Sequence, residues 1–273
     1  MFNSFCYIIS SVMIKFGAVM PHPPLLAPQV GGVRIKECER TQKACREIAK
    51  KIKLLDIDAI IMISPHGATL GSTVPIYASP VFEGDFSNFG ASKPAYYFKG
   101  DPELASCIIR ENPSMASRQP ETILDHGSLV PLLFISEAGI KKPILPTAIA
   151  YLPGKKLFEF GKSLAHAAEK LKRKIAIIAS ADLSHRLTTD APSGFDPSGK
   201  VFDEKLVDLM RRYDISGIIN FDDALAESAG QDALQSISIL LGAFDGIKAK
   251  AEVLSYEGPF GVGYMVAEIA PIS

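Results

Sequence analysis

Four of the chain's five histidines stand where an imidazole could do chemistry. His22, His66 and His185 follow closely on apolar runs, in FGAVMPH, IDAIIMISPH and IAIIASADLSH, and His126 opens an apolar segment directly after Asp125. Imidazole suits Zn, Cu, Fe and Ni, and two histidines with a carboxylate leave metal positions open to substrate or oxygen. A histidine free of metal can instead act as general acid or base near neutral pH. One histidine at a strand end is most often a hydrogen-bonded structural residue. Four with a shared placement point to a site.

Polar neighbours extend the set. Asp182 and Asp125 lie three and one residues before a histidine, where a carboxylate can orient an imidazole or cap the following helix; for Asp125 capping is the better reading. Ser184 shares the DLSH turn with His185, and Glu257, in the Gly-rich YEGPFGVGY, is a further candidate for the pocket. That stretch does not match GxGxxG in a strand-to-helix setting, which argues against a nucleotide loop. His166, on a helix with lysines nearby, reads as surface.

The elements that must position these side chains follow from hydrophobic pattern. Continuous apolar runs bounded by polar signals predict strands buried on both faces, over residues 16–20, 57–64, 74–78, 144–150 and 175–179, with two more over 253–256 and 264–270. Helices are expected over 34–54, 102–111, 128–135, 157–173, 202–212 and 215–220, with one or two more in 222–244. Residues 82–90 and 188–200 read as irregular loops, the first rich in aromatics and equally able to cover a site or pack on an edge. Strands alternating with helices predict an α/β fold, a three-layer α/β/α sandwich around a mixed, largely parallel sheet, and in open sheets of that kind the polar residues just past the strand ends line the ligand crevice. A single domain over residues 14–273, after an N-terminal extension of residues 1–13, is the simpler organisation, and Met13 is an alternative start.

Composition excludes several classes. A formal net charge of −1 gives no electrostatic case for nucleic acid or an anionic membrane surface. Cys6, Cys38, Cys45 and Cys107 are scattered, which fits neither a zinc ribbon nor a disulfide framework and suits a reducing cytoplasm. No run approaches the roughly 18 apolar residues of a membrane span, and the N-terminal stretch lacks the charged start and cleavage site of a signal peptide.

MPHPP, SPH, DHG-x-x-x-PL, DLSH and SYEGPFGVGY, in this order between residues 16 and 267, resemble the class III extradiol ring-cleaving dioxygenase superfamily (LigB-like). Within it the chain looks most like the Memo-like branch of the AmmeMemoRadiSam system. The resemblance implies non-haem Fe(II), with Zn or Cu as alternatives, held by His22, His66 and a carboxylate. His185 then matches the acid/base, His126 a pocket histidine, and the substrates are a small catechol-type aromatic and O2. Family dioxygenases supply the carboxylate as a Glu from a helix that here falls in residues 226–236, and Memo-like relatives carry Glu-Cys-Gly where this chain has Gln231-Asp232-Ala233. Asp232 is therefore the expected third ligand, with Glu227 behind it. The same branch implies an alternative, a metal-binding or redox accessory protein beside a radical-SAM partner, with a zinc hydrolase a third reading. A homo-oligomer stays open.

Overall fold

In the computed structural model residues 12–69 and 71–272 are described, so the expected extension lies outside them except for Val12 and Met13. The elements run β1 (Ile14–Met20), α1 (Pro28–Gly31), α2 (Glu39–Leu54), β2 (Ala59–Thr69), β3 (Val74–Tyr77), β4 (Val81–Phe86), β5 (Ala91–Lys99), α3 (Pro102–Glu111), β6 (Ala116–Gln119) and α4 (His126–Glu137). Then come β7 (Ile144–Ala150), α5 (Gly154–Leu171), β8 (Ile175–Ser180), α6 (Pro197–Arg211), α7 (Ile215–Ile219), α8 (Asp223–Ala229), α9 (Leu234–Ala243), β9 (Ala249–Glu257) and β10 (Tyr264–Pro271).

Eight strands form one mixed sheet in the order β6-β3-β7-β2-β8-β1-β10-β9, and β4 pairs with β5 apart from it. Its centre is parallel: β8 lies between β1 and β2, and β7 extends the run beyond β2. The pairings of β10 with β1 and β9, and of β3 with β7, are antiparallel. Successive residues of a strand face opposite sides of a sheet. Ile61, Ile63 and Ile177 accordingly join a core with α5, α6 and α9, whereas Ile60, Met62 and Ile178 join a second core with α2 and α4. Both faces are covered, which is why these strands are apolar without alternation and why the expected α/β sandwich is found.

Several boundaries differ from the sequence reading. Residues 82–90 are not irregular: β4 and β5 form a hairpin, with Phe82 and Phe86 of β4 buried on alternate positions. Strand β2 continues through Ser64-Pro65-His66, and its register against β7 shifts between Ser64 and Thr69, an irregularity of the kind that re-aims side chains. The helix expected from residue 34 is 3-10 as far as Cys38, and α6 begins at Pro197 on the Asp196 cap, five residues early. The short edge strand β6 was not anticipated.

Ile177, in the central strand β8, is 0% exposed. Ile177→Ala should lower unfolding free energy by about 3 kcal/mol in urea denaturation, against less than about 0.5 kcal/mol for Val201→Ala on the exposed face of α6.

Candidate metal centre and active site

β1 and β8 run in parallel with Met20 opposite Ser180, so the chain leaves β1 beside the Ser180 side chain. His22, two residues on, is 2% exposed, and its Nδ1 lies 2.8 Å from Ser180 Oγ. That hydroxyl also lies 2.6 Å from the Gly127 carbonyl, which can only accept. A hydroxyl has one proton, so Ser180 donates it to Gly127 and accepts from His22 Nδ1–H. The His22 tautomer is thereby set, with Nε2 aimed at His66 Nε2, 2.8 Å away.

His126, the first residue of α4, completes the group: one ring nitrogen from each of His22, His66 and His126 lies within 4.8 Å of the other two. The His66 and His126 rings stack at 4.0 Å between centroids, and Phe89, at the tip of the β4–β5 hairpin, meets His126 edge-on at 5.0 Å. Asp125 caps α4, accepting from Ser128 N–H and Ser64 O–H, and Ser64 Oγ in turn accepts from His66 N–H. The cap of α4 and the backbone of His66 are thus one network.

Asp232 brings a carboxylate beside two of these rings, its Oδ2 3.4 Å from His22 Nε2 and 3.8 Å from His66 Nε2. It does not project from a helix, as the sequence reading expected. Gly230 ends α8 with φ +61, and the Gln231 side chain accepts from Ala233 and Leu234 N–H to start α9, so Asp232 occupies the break between them. Asp232 Oδ1 accepts from Asp182 N–H, and Asp182 Oδ1 accepts from His22 N–H, so Asp182 braces both partners of the pair. Glu227 is exposed on α8 and makes no hydrogen bond or ion pair with the histidines among the described residues.

His185 stands on the DLSH turn just beyond β8. Its Nδ1 lies 2.9 Å from the Gly230 carbonyl, which fixes the proton on Nδ1 and leaves the Nε2 lone pair free. It stands within electrostatic reach of Asp232 and His66. Ser184 Oγ is committed to Ala229 O and Arg186 N–H, so it orders the turn. Glu257 is committed elsewhere, its Oε1 accepting from the N–H and hydroxyl of Thr41 in the first turn of α2. His166 is on the surface, paired with Glu111 at 3.1 Å. Ser180, Ser64, Phe89 and the Gly230 carbonyl were not singled out from sequence; only the end of an apolar run at Ser180 hinted at any of them.

Electrostatics divides the imidazoles. Burial works against a charge on His22, but Asp182 and Asp232 outweigh it and lift His22 to about 9. Burial pushes His126 down to about 4, helped by His66 and His22, and burial with the His22 charge also lowers His66. Burial raises Asp182; it opposes ionisation of Asp232 as well, yet the neighbouring histidines hold that carboxyl below the usual range. At neutral pH one proton therefore sits between His22 and His66, beside an ionised Asp232 and two neutral imidazoles. Three imidazole nitrogens within 4.8 Å of one another, with a carboxylate oxygen beside two of them, fit a divalent first-row metal ion in that proton's place.

Metal loading at pH 7 should therefore release about one proton, and affinity should fall about tenfold per unit as pH drops below about 9. Calorimetry in two buffers of different protonation enthalpy measures both. Ser180→Ala should weaken metal binding about 10–100-fold, since it frees the His22 ring that the hydroxyl orients.

The described residues contain no helix long and apolar enough to cross a membrane. Residues 17–267 match the family model described as the catalytic LigB subunit of aromatic ring-opening dioxygenase. Protein CA_C1420 of Clostridium acetobutylicum is 33% identical over 93% of this chain, which spans only 57% of that relative's length. A 3,4-dihydroxyphenylacetate 2,3-dioxygenase of Escherichia coli is 26% identical over 72% of the chain and 77% of its own. In fold, the chain is similar to the crystal structure of the uncharacterized protein JW3007 from Escherichia coli K12, with TM-score 0.66 and 18% identity over 94% of this chain and 99% of that one. A family match across nearly the whole sheet, over a fold of the same kind, places this chain in the LigB family.

Proposed function

We propose that the chain is a single LigB-like catalytic domain over residues 14–273, an Fe(II)-dependent oxygenase that opens a catechol-type ring beside its diol. The observation that carries this reading is the gathering of His22, His66 and His126, one ring nitrogen of each within 4.8 Å of the others, with Asp232 Oδ2 3.4 Å from His22 and the Nε2 of His185 on the adjoining turn. His22, His66 and Asp232 would hold the metal, with His126 either a fourth donor or a substrate contact. Bound iron supplies the electronic coupling that lets a spin-paired diol react with triplet O2.

The protein's own groups account for the rest. His185 Nε2 is a lone pair held in place by Gly230, so it can take a phenolic proton and return it later. His66 and His126 stay neutral at working pH because burial and the His22 charge oppose their protonation. Phe89 adds an apolar wall at the open side of His126, suited to a planar ring.

One observation favours a second reading. The chain spans 57% of CA_C1420, whose remaining length leaves room for another module, as suits an accessory metalloprotein working beside a radical-SAM partner without ring cleavage.

Anaerobic reconstitution with Fe(II), metal analysis and an oxygen electrode with a panel of catechols separate the two. The oxygenase reading expects about one iron per chain and catechol-dependent oxygen uptake. His185→Ala should lower that uptake at least 100-fold with iron retained, and His66→Ala should lose the metal. Stoichiometric metal with no uptake on any catechol would overturn ring cleavage and favour the accessory role.

A further inference from the structure

The Gly-rich stretch around residue 260 has no part in the site as built so far, yet it lies against the turn that carries His185. Leu183 N–H donates to Gly263 O, Gly263 N–H to Ser184 O, and Leu187 N–H to Gly261 O, at 2.8, 2.9 and 3.0 Å. Beneath the turn sits Asp203 of α6, a carboxyl 0% exposed in the interior of the protein. Its Oδ1 accepts from Ser184 N–H at 2.8 Å, and its Oδ2 accepts from the Tyr256 hydroxyl at 2.7 Å. No cation pairs with it among the described residues.

A buried carboxyl without a cation is costly, and a helix such as α6 gains nothing from one on its inner face. Apolar residues of similar volume would pack there without that cost. Asp203 faces the one backbone N–H that precedes His185. From there the chain of bonds is short: Ser184 Oγ donates to Ala229 O, His185 N–H donates to the same carbonyl at 3.2 Å, and His185 Nδ1–H reaches Gly230 O. Each link fixes the next. The packing leaves no slack either, because a Cβ on Gly263 would lie 2.0 Å from Asp203 Oδ2.

We infer that Asp203, braced by Tyr256 and walled by Gly263, is the positioning residue of His185: by holding Ser184 N–H it keeps the imidazole in the Nδ1–H tautomer with Nε2 presented to the metal centre. The inference rests on the acid/base role proposed for His185, but it makes a claim about tautomer and geometry that needs no turnover.

The test is nitrogen-15 NMR of the histidine side chains in metal-free and zinc-loaded protein, for wild type, Asp203→Asn, Asp203→Ala and Gly263→Ala. Wild type should show His185 with its proton on Nδ1. Asp203→Asn retains an acceptor oxygen for Ser184 N–H and should keep that state. Asp203→Ala and Gly263→Ala should shift His185 to the Nε2–H form usual for a free imidazole, with zinc stoichiometry unchanged. Where wild type takes up oxygen with a catechol, the same two variants should lose about 10–100-fold in kcat with KM held within about twofold. An unaltered His185 spectrum in folded Asp203→Ala or Gly263→Ala overturns the proposal. So does failure of both variants to fold, which would assign Asp203 to folding alone. A wild type inert toward every catechol sinks the oxygenase reading and leaves the tautomer result standing.

Discussion

Strand β8 pairs in parallel with β1 on one side and β2 on the other, and the positions of His22, Ser180 and His66 follow from that arrangement. Parallel strands deliver their C-terminal ends to the same edge of the sheet. His22, Ser180 and His66 therefore emerge side by side although they are remote in sequence. Register makes the placement specific: with Met20 opposite Ser180, the hydroxyl lies within reach of the imidazole two residues past β1. A slip of one residue would turn Ser180 to the other face of the sheet. The apolar residues that lock this register, such as Ile177 on one face and Ile178 on the other, are fully buried in the two cores.

The site concentrates charge in a place that could not otherwise tolerate it. Asp182 and Asp232 lie close enough to repel, and burial disfavours ionisation of both. A positive charge at His22 is what reconciles them, and backbone N–H groups of His22 and Asp182 absorb part of the remaining demand. The carboxylates, the serine and the helix cap at Asp125 thus form a frame with a cation at its centre. Such a frame is held by hydrogen bonds to one oxygen of each carboxylate, and satisfied polar networks of this kind rigidify the interior.

Much of this was legible in the sequence. The apolar runs located the parallel strands, and the histidines placed around them pointed to the cluster that the fold assembles, because both signals are local. Asp232 was a candidate from sequence only because it stands where Memo-like relatives carry Glu-Cys-Gly. Its setting was not: the run AESAGQDALQS reads as one helix until Gly230 takes a left-handed conformation and Gln231 caps the next. The β4–β5 hairpin was missed although Phe82 and Phe86 alternate as a strand should, because β5 is largely exposed and carries no pattern of its own. Ser180 and Asp203 act through pairings between distant segments. Nothing in their neighbours along the chain distinguishes them from other strand-end or helix polar residues.

The bond between His22 N–H and Asp182 spans 160 residues of chain, and Asp232 lies further along still. A centre built this way has no local precursor. During synthesis β1 leaves the ribosome long before β8 or the segment after α8, and loop-closure entropy opposes the early meeting of such distant parts. His22 alone is a poor ligand, so the nascent chain offers little to capture a stray ion. At the proposed metal centre, ion selection would thereby be postponed until the sheet is closed and the three histidines stand at fixed separation, and acquisition of the ion would report that folding is complete.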